Sequence, residues 1–275
     1  EFGNNWWNFL RVLDEKRIVQ AEQSFQKMLH TKRLDGKYVL DAGSGSGLFS
    51  LAARRLGAKV HSFDYDLQSV ACTEELKRRF FPDETDWTIE QGSVLDEEYL
   101  NSLPKFDIVY SFGVLHHTGA MWQAIENILK VVKDNGLLCI SIYNDQGWAS
   151  RCWATVKRIY NRTPKPIRLL MVLAVGTLIE VRALLIRLIK LQNPLPFKDW
   201  AEKKQGRGMS VWYDLVDWVG GYPFEVAKPD EVFEMCRDHG FTLLQMRTQG
   251  RFSGCNEFVF VKHPVPETIL TSSQS

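Results

Sequence analysis

Apolar residues along the chain cluster in two kinds of segment, and their order predicts the fold. Short apolar runs, typical of buried strands, alternate with longer segments whose apolar residues recur every three or four positions, as in helices. The runs are residues 37–40, 59–63, 87–91, 106–111 and 136–143, and the helical segments are 48–56, 68–80 and 121–132. Strands separated by helix-length connections predict a parallel sheet with helices on both faces.

The end of the chain has a different pattern. Residues 229–239 predict a helix closed by Gly240, and residues 241–248 and 257–263 predict two strands joined by a short loop. A short loop permits an antiparallel pair but not a parallel crossover. The predicted fold class is therefore α/β: a doubly wound, seven-stranded, mostly parallel sheet with a terminal antiparallel strand.

Two further segments complete the predicted organisation. Residues 4–30 have helical periodicity, and about 80 residues separate the fifth strand from the last helix. A long insertion after a strand end predicts a cover over the ligand-binding edge of the sheet. The predicted parts are an N-terminal helical lid (1–35), a core (36–145), a helical insertion or substrate cap (146–228), a final helix and strand pair (229–265) and a flexible tail (266–275).

Composition excludes several classes of protein. The 275 residues are 45% hydrophobic and 24% charged, as expected of a globular α/β domain with an insertion. A net charge of +1 gives no overall field for nucleic acid, so no nucleic-acid partner is expected. Five widely spaced cysteines without a C-x-x-C pair are typical of reduced thiols. The expected location is cytoplasmic, with peripheral membrane attachment as an alternative.

A glycine-rich loop follows the first strand and is the strongest chemical signal. Residues 39–47 read V-L-D-A-G-S-G-S-G, with an acid at the strand end before three alternating glycines. Glycines let the backbone turn tightly and approach a ligand, and the following helix N-terminus offers N–H donors. The dinucleotide pattern G-x-G-x-x-G would need glycine at 48, where Leu48 stands. The loop predicts cofactor contacts from Asp41, Gly43, Ser44, Gly45 and Gly47.

Asp64 ends the second strand, where a carboxylate can accept both hydroxyls of a ribose. This position predicts a nucleoside ligand without choosing which one. Tyr65 is positioned to pack on the base of such a ligand. The alternative is that Asp64 caps the helix that follows Asp66.

Two histidines follow the fourth strand. Residues 106–117 read F-D-I-V-Y-S-F-G-V-L-H-H, so His116 and His117 lie at the carboxyl edge of the sheet, where open α/β folds bind ligands. Imidazole titrates near neutral pH, so either residue, and His116 by preference, is a candidate general base. The alternative is a structural histidine bonded to the backbone. No metal-ligand spacing surrounds them, and no metal is expected.

Taken in order, these segments resemble the class I, Rossmann-like methyltransferases that use S-adenosylmethionine (SAM), and in particular small-molecule enzymes of quinone biosynthesis. The resemblance covers residues 36–145 and the final strand pair in outline. It implies SAM as the cofactor. In residues 89–96, Ser93 stands where the family often has an acid facing the adenine, so Ser93 and the Val94 backbone are the candidates there, with Ser111 further along.

The resemblance implies methyl transfer to an oxygen or nitrogen of a small-molecule acceptor. The Asn/Asp-Pro-Pro-aromatic motif of methyltransferases acting on DNA or exocyclic amines is absent after strand four. The alternatives are an RNA or protein methyltransferase, a SAM-binding protein without catalysis, and a nicotinamide-dependent oxidoreductase. Leu48 and the terminal hairpin disfavour the last.

Aromatic residues outside the core segments are candidates for the acceptor pocket. The Trp6-Trp7 pair is similar to a tryptophan pair of quinone O-methyltransferases, and the segment 209–225 places aromatics and acids, Glu225 among them, near paired glycines. The alternative is that these residues are plain core. The candidates are Trp6, Trp7, Tyr143, Trp212, Tyr213, Asp217, Tyr222 and Arg251.

The insertion also concentrates positive charge. Residues 151–190 contain nine basic side chains and one acid, Glu180, and residues 167–179 form an apolar run with one charge. Thirteen residues are too few to span a bilayer. This pattern leaves three covers open for residues 151–191: a membrane surface, the body of the protein, as a buried cap, and a second copy of the chain in a homodimer.

Overall fold

Seven strands form one sheet at the centre of the structure. The computed structural model describes residues 9–11, 13–190, 193, 211–250 and 254–263. The strands are β1 Tyr38–Ala42, β2 Lys59–Asp64, β3 Trp87–Gln91, β4 Phe106–Phe112, β5 Val132–Tyr143, β6 Phe241–Arg247 and β7 Cys255–Lys262. The helices are α1 Glu15–Leu29, α2 Leu48–Arg55, α3 Leu67–Phe80, α4 Glu97–Ser102, α5 Met121–Leu129, α6 Trp148–Arg162, α7 Lys165–Ile189, α8 Val211–Gly220 and α9 Pro229–Asp238.

The strand order is β3-β2-β1-β4-β5-β7-β6. Strands β1 to β5 pair in parallel, whereas β7 is antiparallel to both β5 and β6. This arrangement confirms the predicted fold class. The order reverses between β1 and β4, and such a reversal opens a crevice at the carboxyl ends of the two strands, where open α/β sheets bind ligands.

Each face of the sheet carries an apolar core, because successive residues of a strand point to opposite faces. In β1, Val39 packs into the core on the α1–α3 side, and Leu40 packs into the core on the α5 and α9 side. Trp87 and Phe106 are among the largest side chains buried in these two layers. The carboxyl ends of the central strands are thereby held rigidly.

The N-terminal segment differs from its prediction. Residues 9–11 are helical, but α1 begins anew at Glu15, and Asp14 is its N-cap because its side chain accepts a hydrogen bond from the Arg17 N–H. The helical periodicity over residues 4–30 is therefore interrupted at residues 13 and 14. An aspartate at this position satisfies N–H groups that a helix start leaves without partners, so it favours a new start. The short helix α4 was not predicted, since six residues carry too little apolar periodicity.

The insertion contains α6, α7 and α8. Helix α7 has 25 residues and so extends well beyond the thirteen-residue apolar run 167–179. By length and composition alone, this helix could cross a membrane. Beyond Glu180 the helix continues to Ile189, and most of its remaining residues are apolar.

Candidate cofactor and acceptor sites

The glycine loop turns sharply at the end of β1. Gly43 has a φ of +85°, and an added Cβ there would lie 2.4 Å from a Val114 methyl. Gly45 and Gly47 also have positive φ values. The N–H groups of Gly43 and Ser44 both donate to the Phe63 carbonyl. Glycine is required at 43 by backbone conformation and by space.

Asp64 ties this loop to the end of β2. One carboxylate oxygen accepts from the Gly45 N–H at 2.9 Å, and the other accepts from the Asp66 N–H at 2.9 Å. Each oxygen has capacity for a further donor. Asp66 caps α3 by accepting from the Gln68 N–H, so the alternative of Asp64 as the helix cap is wrong. Burial raises the pKa of Asp64, and the two backbone donors lower it in part.

Asp41 lies buried beneath the loop. The Ser50 hydroxyl donates to it at 2.5 Å, Ser62 donates to Ser50, and the Trp87 indole N–H donates to Ser62. This chain of hydrogen bonds links three strands and the first helix after the loop. Burial raises the pKa of Asp41 to about 7, and the nearby Asp64 adds to that rise.

The remaining predicted cofactor residues lie at neighbouring strand ends. Tyr65 is 78% exposed beside Asp64. The Ser93 hydroxyl accepts from the Leu95 N–H, and the Val94 carbonyl accepts from the Asn127 amide. The buried Ser111 hydroxyl donates to the Ala42 carbonyl. Ser44 lies with its hydroxyl 3.0 Å from that of Thr73. The contacts of these residues with a cofactor stay predictions.

His116 is buried in the 3₁₀ turn Leu115–His117 with only 1% exposure. Neither ring nitrogen makes a hydrogen bond within the described residues. Burial holds the pKa of His116 well below its usual value, and the neighbouring His117 and Lys157 lower it further. The Ser141 main chain opposes this shift in part. An unpaired buried polar group costs about 1–3 kcal/mol, so this neutral imidazole has capacity for a ligand.

His117 is anchored more firmly. Its Nδ1 lies 2.7 Å from the Pro223 carbonyl, and because a carbonyl only accepts, Nδ1 carries the proton. Burial lowers the pKa of His117 to about 4, so it is neutral near pH 7. Glu225 holds the same segment: its N–H donates to the His116 carbonyl, and its carboxylate accepts from the Met121 N–H. Glu225, expected in a pocket wall, stabilises a helix start instead.

A cavity of about 1310 Å³ adjoins the histidine turn. The Tyr143 ring lies 3.9 Å from the His116 ring between centroids, and Tyr143 forms part of the cavity wall. The rest comes from helices α6, α7 and α8, from the β6–β7 hairpin, and from the loops that contain Asn144, Gln146 and Phe224. The wall contains five aromatic side chains among aliphatic and polar ones, together with two carboxylates and one ammonium: Tyr143, Trp153, Trp212, Trp218, Phe224, Glu180, Glu257 and Lys157.

The predicted acceptor residues divide into three groups. Tyr143 and Trp212 line the cavity. Tyr222 is 41% exposed and lies outside its lining. Trp6, Trp7 and Arg251 lie outside the described residues, as do the side chains of Tyr213 and Asp217.

Sequence reasoning missed several wall residues. Lys157 was counted among the surface bases, yet it is 3% exposed, and its ammonium donates to the Trp218 carbonyl. Trp153, four residues earlier on α6, lies on the same face of the helix, and this spacing was the available signal. Within the described part of the chain, no group of three or more His, Cys, Asp or Glu residues is placed to hold a metal ion.

Comparison with known proteins identifies the class. Residues 34–180, just over half of the chain, match a family model described as a methyltransferase domain, and the chain belongs to this family. This match confirms the predicted class and the expected cofactor, S-adenosylmethionine.

Individual relatives are more distant. The chain is 28% identical to a ubiquinone biosynthesis O-methyltransferase of Rickettsia akari over 52% of this chain and 57% of that protein. It is 36% identical to a ribosomal protein L11 methyltransferase of Prochlorococcus marinus over 41% of this chain and 37% of that protein. The chain thus spans about half the length of the relatives it matches.

Solved structures share the fold. A magnesium protoporphyrin IX methyltransferase from Synechocystis, crystallised with bound S-adenosylhomocysteine (SAH), has a TM-score of 0.51 and 15% identity, with 93% of each chain covered. At this identity the likeness concerns the fold alone.

The residues present fit SAM. The loop at Gly43 is a cradle that a Cβ would fill, and the Asp64 carboxylate can accept from ribose hydroxyls. Beyond the end of β4, an added Cβ on Gly113 would have no neighbour within 4 Å, so the space at the crevice is open.

Proposed function

We propose that this chain transfers a methyl group from SAM to an oxygen or nitrogen of a small, ring-bearing apolar molecule. The observation that carries the proposal is the aromatic-lined cavity beside His116, at the carboxyl edge of the strands that bear the glycine loop. A pocket next to the cofactor crevice is where an acceptor must lie for its nucleophile to reach the methyl group.

In this proposal, each part of the site has a task. SAM supplies an electrophilic methyl group on a sulfonium sulfur. Asp64 accepts from the ribose, and the loop at Gly43 and Gly45 lets the backbone approach the ligand. The cavity wall holds the acceptor nucleophile about 3 Å from the methyl carbon and in line with it, which lowers the barrier by several kcal/mol.

His116 receives the proton of a hydroxyl acceptor. Its imidazole is neutral because burial lowers its pKa, and its nitrogens have no other hydrogen bond within the described residues. His117 donates its Nδ1 proton to the Pro223 carbonyl, which leaves Nε2 as its basic nitrogen and makes it the second candidate base. The same bond positions the segment that carries Phe224 of the cavity wall.

The cavity wall supports an acceptor larger than a single ring. Drug-sized ligand sites measure about 300–1,000 Å³, and this cavity is larger. Trp153 and Trp218 pack edge to face at 4.2 Å between ring centroids, and they present an apolar, aromatic surface. Such a wall favours stacked or elongated apolar molecules.

We further propose that α7 rests on an anionic membrane surface. Leu170 is 64% exposed and Ile189 81% exposed, and they belong to an apolar surface along most of the helix. Exposed basic residues border it, including Arg162, Lys165 and Lys190, and they complement anionic headgroups. Another face of α7 packs against α8, because Gly176 lies so close to Leu215 that an added Cβ would collide with it.

Flotation with liposomes tests the membrane proposal. The unchanged chain should float with anionic vesicles and be released by salt, and Leu170→Glu should reduce flotation. Leu244→Glu, at an exposed site on β6, is the matched control and should float normally. Failure to float, with a dimeric mass in light scattering, would assign α7 to a homodimer interface instead.

A direct turnover assay tests the proposed chemistry. The chain is incubated with SAM and a panel of multi-ring phenols and amines, and SAH formation is measured beside the mass of the product. We expect turnover with at least one panel member, and Trp218→Ala should reduce it by shrinking the aromatic wall. Turnover only with ribosomal protein L11 would establish a protein methyltransferase instead.

A further inference from the structure

Two residues of the β6–β7 hairpin bring hydrogen-bond acceptors to the wall of the acceptor cavity. Glu257, on β7, lines the cavity and is partly buried. Its carboxylate makes no hydrogen bond or ion pair within the described residues, and Arg247, which lies opposite it on β6, does not pair with it. Gln249, just beyond the end of β6, lines the same cavity.

Hydrogen bonds fix the amide of Gln249. Its Nε2 donates to the Cys255 carbonyl at 3.2 Å. A carbonyl only accepts, so this bond settles which end of the amide is the nitrogen and leaves Oε1 as an acceptor without a hydrogen bond in the described part of the chain. The main chain is held as well, because the Gln249 N–H donates to Oδ1 of Asn256, which is 1% exposed. The wall therefore holds this amide in a fixed place.

Glu257 lies on the face of the sheet that carries the histidine end of the cavity. In the β5–β7 register it is opposite Ser141, which is two residues before Tyr143 on β5. Residues directly opposite each other, and residues two apart along a strand, point to the same face. Glu257 is thus on the face of Tyr143, whose ring packs on His116. Ser141 also joins this place to the cofactor crevice, since its hydroxyl accepts from the Gly113 N–H.

Packing alone does not explain a carboxylate at this position. Taking a charged or polar group out of water without giving it a partner is unfavourable. An apolar residue of similar volume would complete the wall of an apolar pocket without that cost. Carboxylate and amide oxygens can only accept hydrogen bonds, so the group that satisfies them must be a donor.

We propose that Glu257 and Gln249 bind a hydrogen-bond donor group of the acceptor molecule, a hydroxyl or an ammonium, and hence that this molecule carries such a group beside its apolar rings. The inference deepens the proposed function and rests on it. Glu257 determines specificity, because its charge attracts donors and cations and repels a carboxylate or a phosphate. Anionic molecules of the same size are thereby excluded.

Four naphthalene probes that differ in one substituent test this inference on the full chain in the presence of SAH. They are 2-naphthylmethylamine, 2-naphthylmethanol, the methyl ether of that alcohol, and 2-naphthoate, and calorimetry gives the affinity of each. We expect the amine and the alcohol to bind about tenfold more tightly than the ether, which cannot donate a hydrogen bond to the carboxylate. The carboxylate probe should bind most weakly. The larger advantage, that of the amine or that of the alcohol, shows whether the bound donor is a cation or a hydroxyl.

Glu257→Gln keeps the size of the side chain and removes its charge. It should reduce the preference for the amine over the ether about tenfold and strengthen the binding of 2-naphthoate, whereas a purely structural role would weaken all four probes equally. Gln249→Met should reduce the preference for the alcohol over the ether. Glu234→Gln, which removes an exposed charge on α9, is the matched control and should leave all four affinities unchanged. Glu257→Ala replaces the glutamine variant if that variant does not fold.

The possible results separate this inference from the proposed function. Equal binding of all four probes, tightest binding of 2-naphthoate, a donor preference that survives both Glu257→Gln and Gln249→Met, or no binding of any probe would overturn the inference. A donor preference that depends on Glu257, without methyl transfer to any acceptor, would support the binding site and refute the proposed function.

Discussion

Replacing Gly43 with alanine should damage the glycine loop in a way that the structure makes quantitative. The φ of +85° costs an L-residue about 1–2 kcal/mol. The new Cβ would lie 2.4 and 2.5 Å from the two Val114 methyls, where ordinary contact begins at 3.4 Å, so Val114 must move by about 1 Å. Overpacking of this kind costs about 1–3 kcal/mol. The free energy of unfolding should therefore fall by about 2–5 kcal/mol.

Urea unfolding of three variants separates the two causes. Gly36→Ala is the matched control, since Gly36 has a φ of +72° but no atom within 4 Å of an added Cβ, so it carries only the conformational cost. Val114→Ala combined with Gly43→Ala removes the colliding methyls and should recover about 1 kcal/mol or more relative to Gly43→Ala. The reasoning is refuted if Gly43→Ala is no more destabilising than Gly36→Ala, or if the double variant shows no recovery.

Further predictions concern ionisable residues of the site. Because the native pKa of Asp41 is about 7, against an ordinary 3.8 when unfolded, the native chain should lose stability as pH rises from about 4 to 7, by an amount on the order of a few kcal/mol. Asp41→Asn should remove this part of the pH dependence in urea unfolding, and an unchanged slope would contradict it. For a hydroxyl acceptor, His116→Ala should lower kcat about 100-fold with little change in SAH affinity. His117→Ala should chiefly raise the acceptor KM, since His117 anchors Pro223, and unchanged turnover in both variants would end the general-base proposal.

Much of the sheet could be predicted because its determinants are local. The run V-L-D-A at residues 39–42 is buried on both faces, as apolar strands of parallel sheets are, and the short connection from β6 to β7 permits only an antiparallel pair. The glycine loop could be recognised because its determinants are also local in the sequence. Its backbone conformation at Gly43 is one that few other residues adopt.

The features that escaped prediction depend on distant parts of the chain. Lys157 reads as a surface base on an amphipathic helix, and its burial depends on Trp218 and Phe224, some sixty residues later. The burial of the His116 ring against Tyr143, with neither nitrogen hydrogen-bonded within the described residues, also depends on tertiary packing that no local pattern predicts.

The central claim, a SAM site organised by the glycine loop and Asp64, is tested most directly by calorimetric titration of three forms of the chain. We expect micromolar binding of SAM or SAH by the unchanged chain and no heat with NAD. Asp64→Ala should weaken binding about 100-fold, since two hydrogen bonds to a charged group are lost. Asp66→Ala is the matched control: it removes the cap of α3, costs about 1 kcal/mol of stability and leaves binding intact. Heat with NAD and none with SAM, or equal affinity in the unchanged chain and Asp64→Ala, would contradict the account.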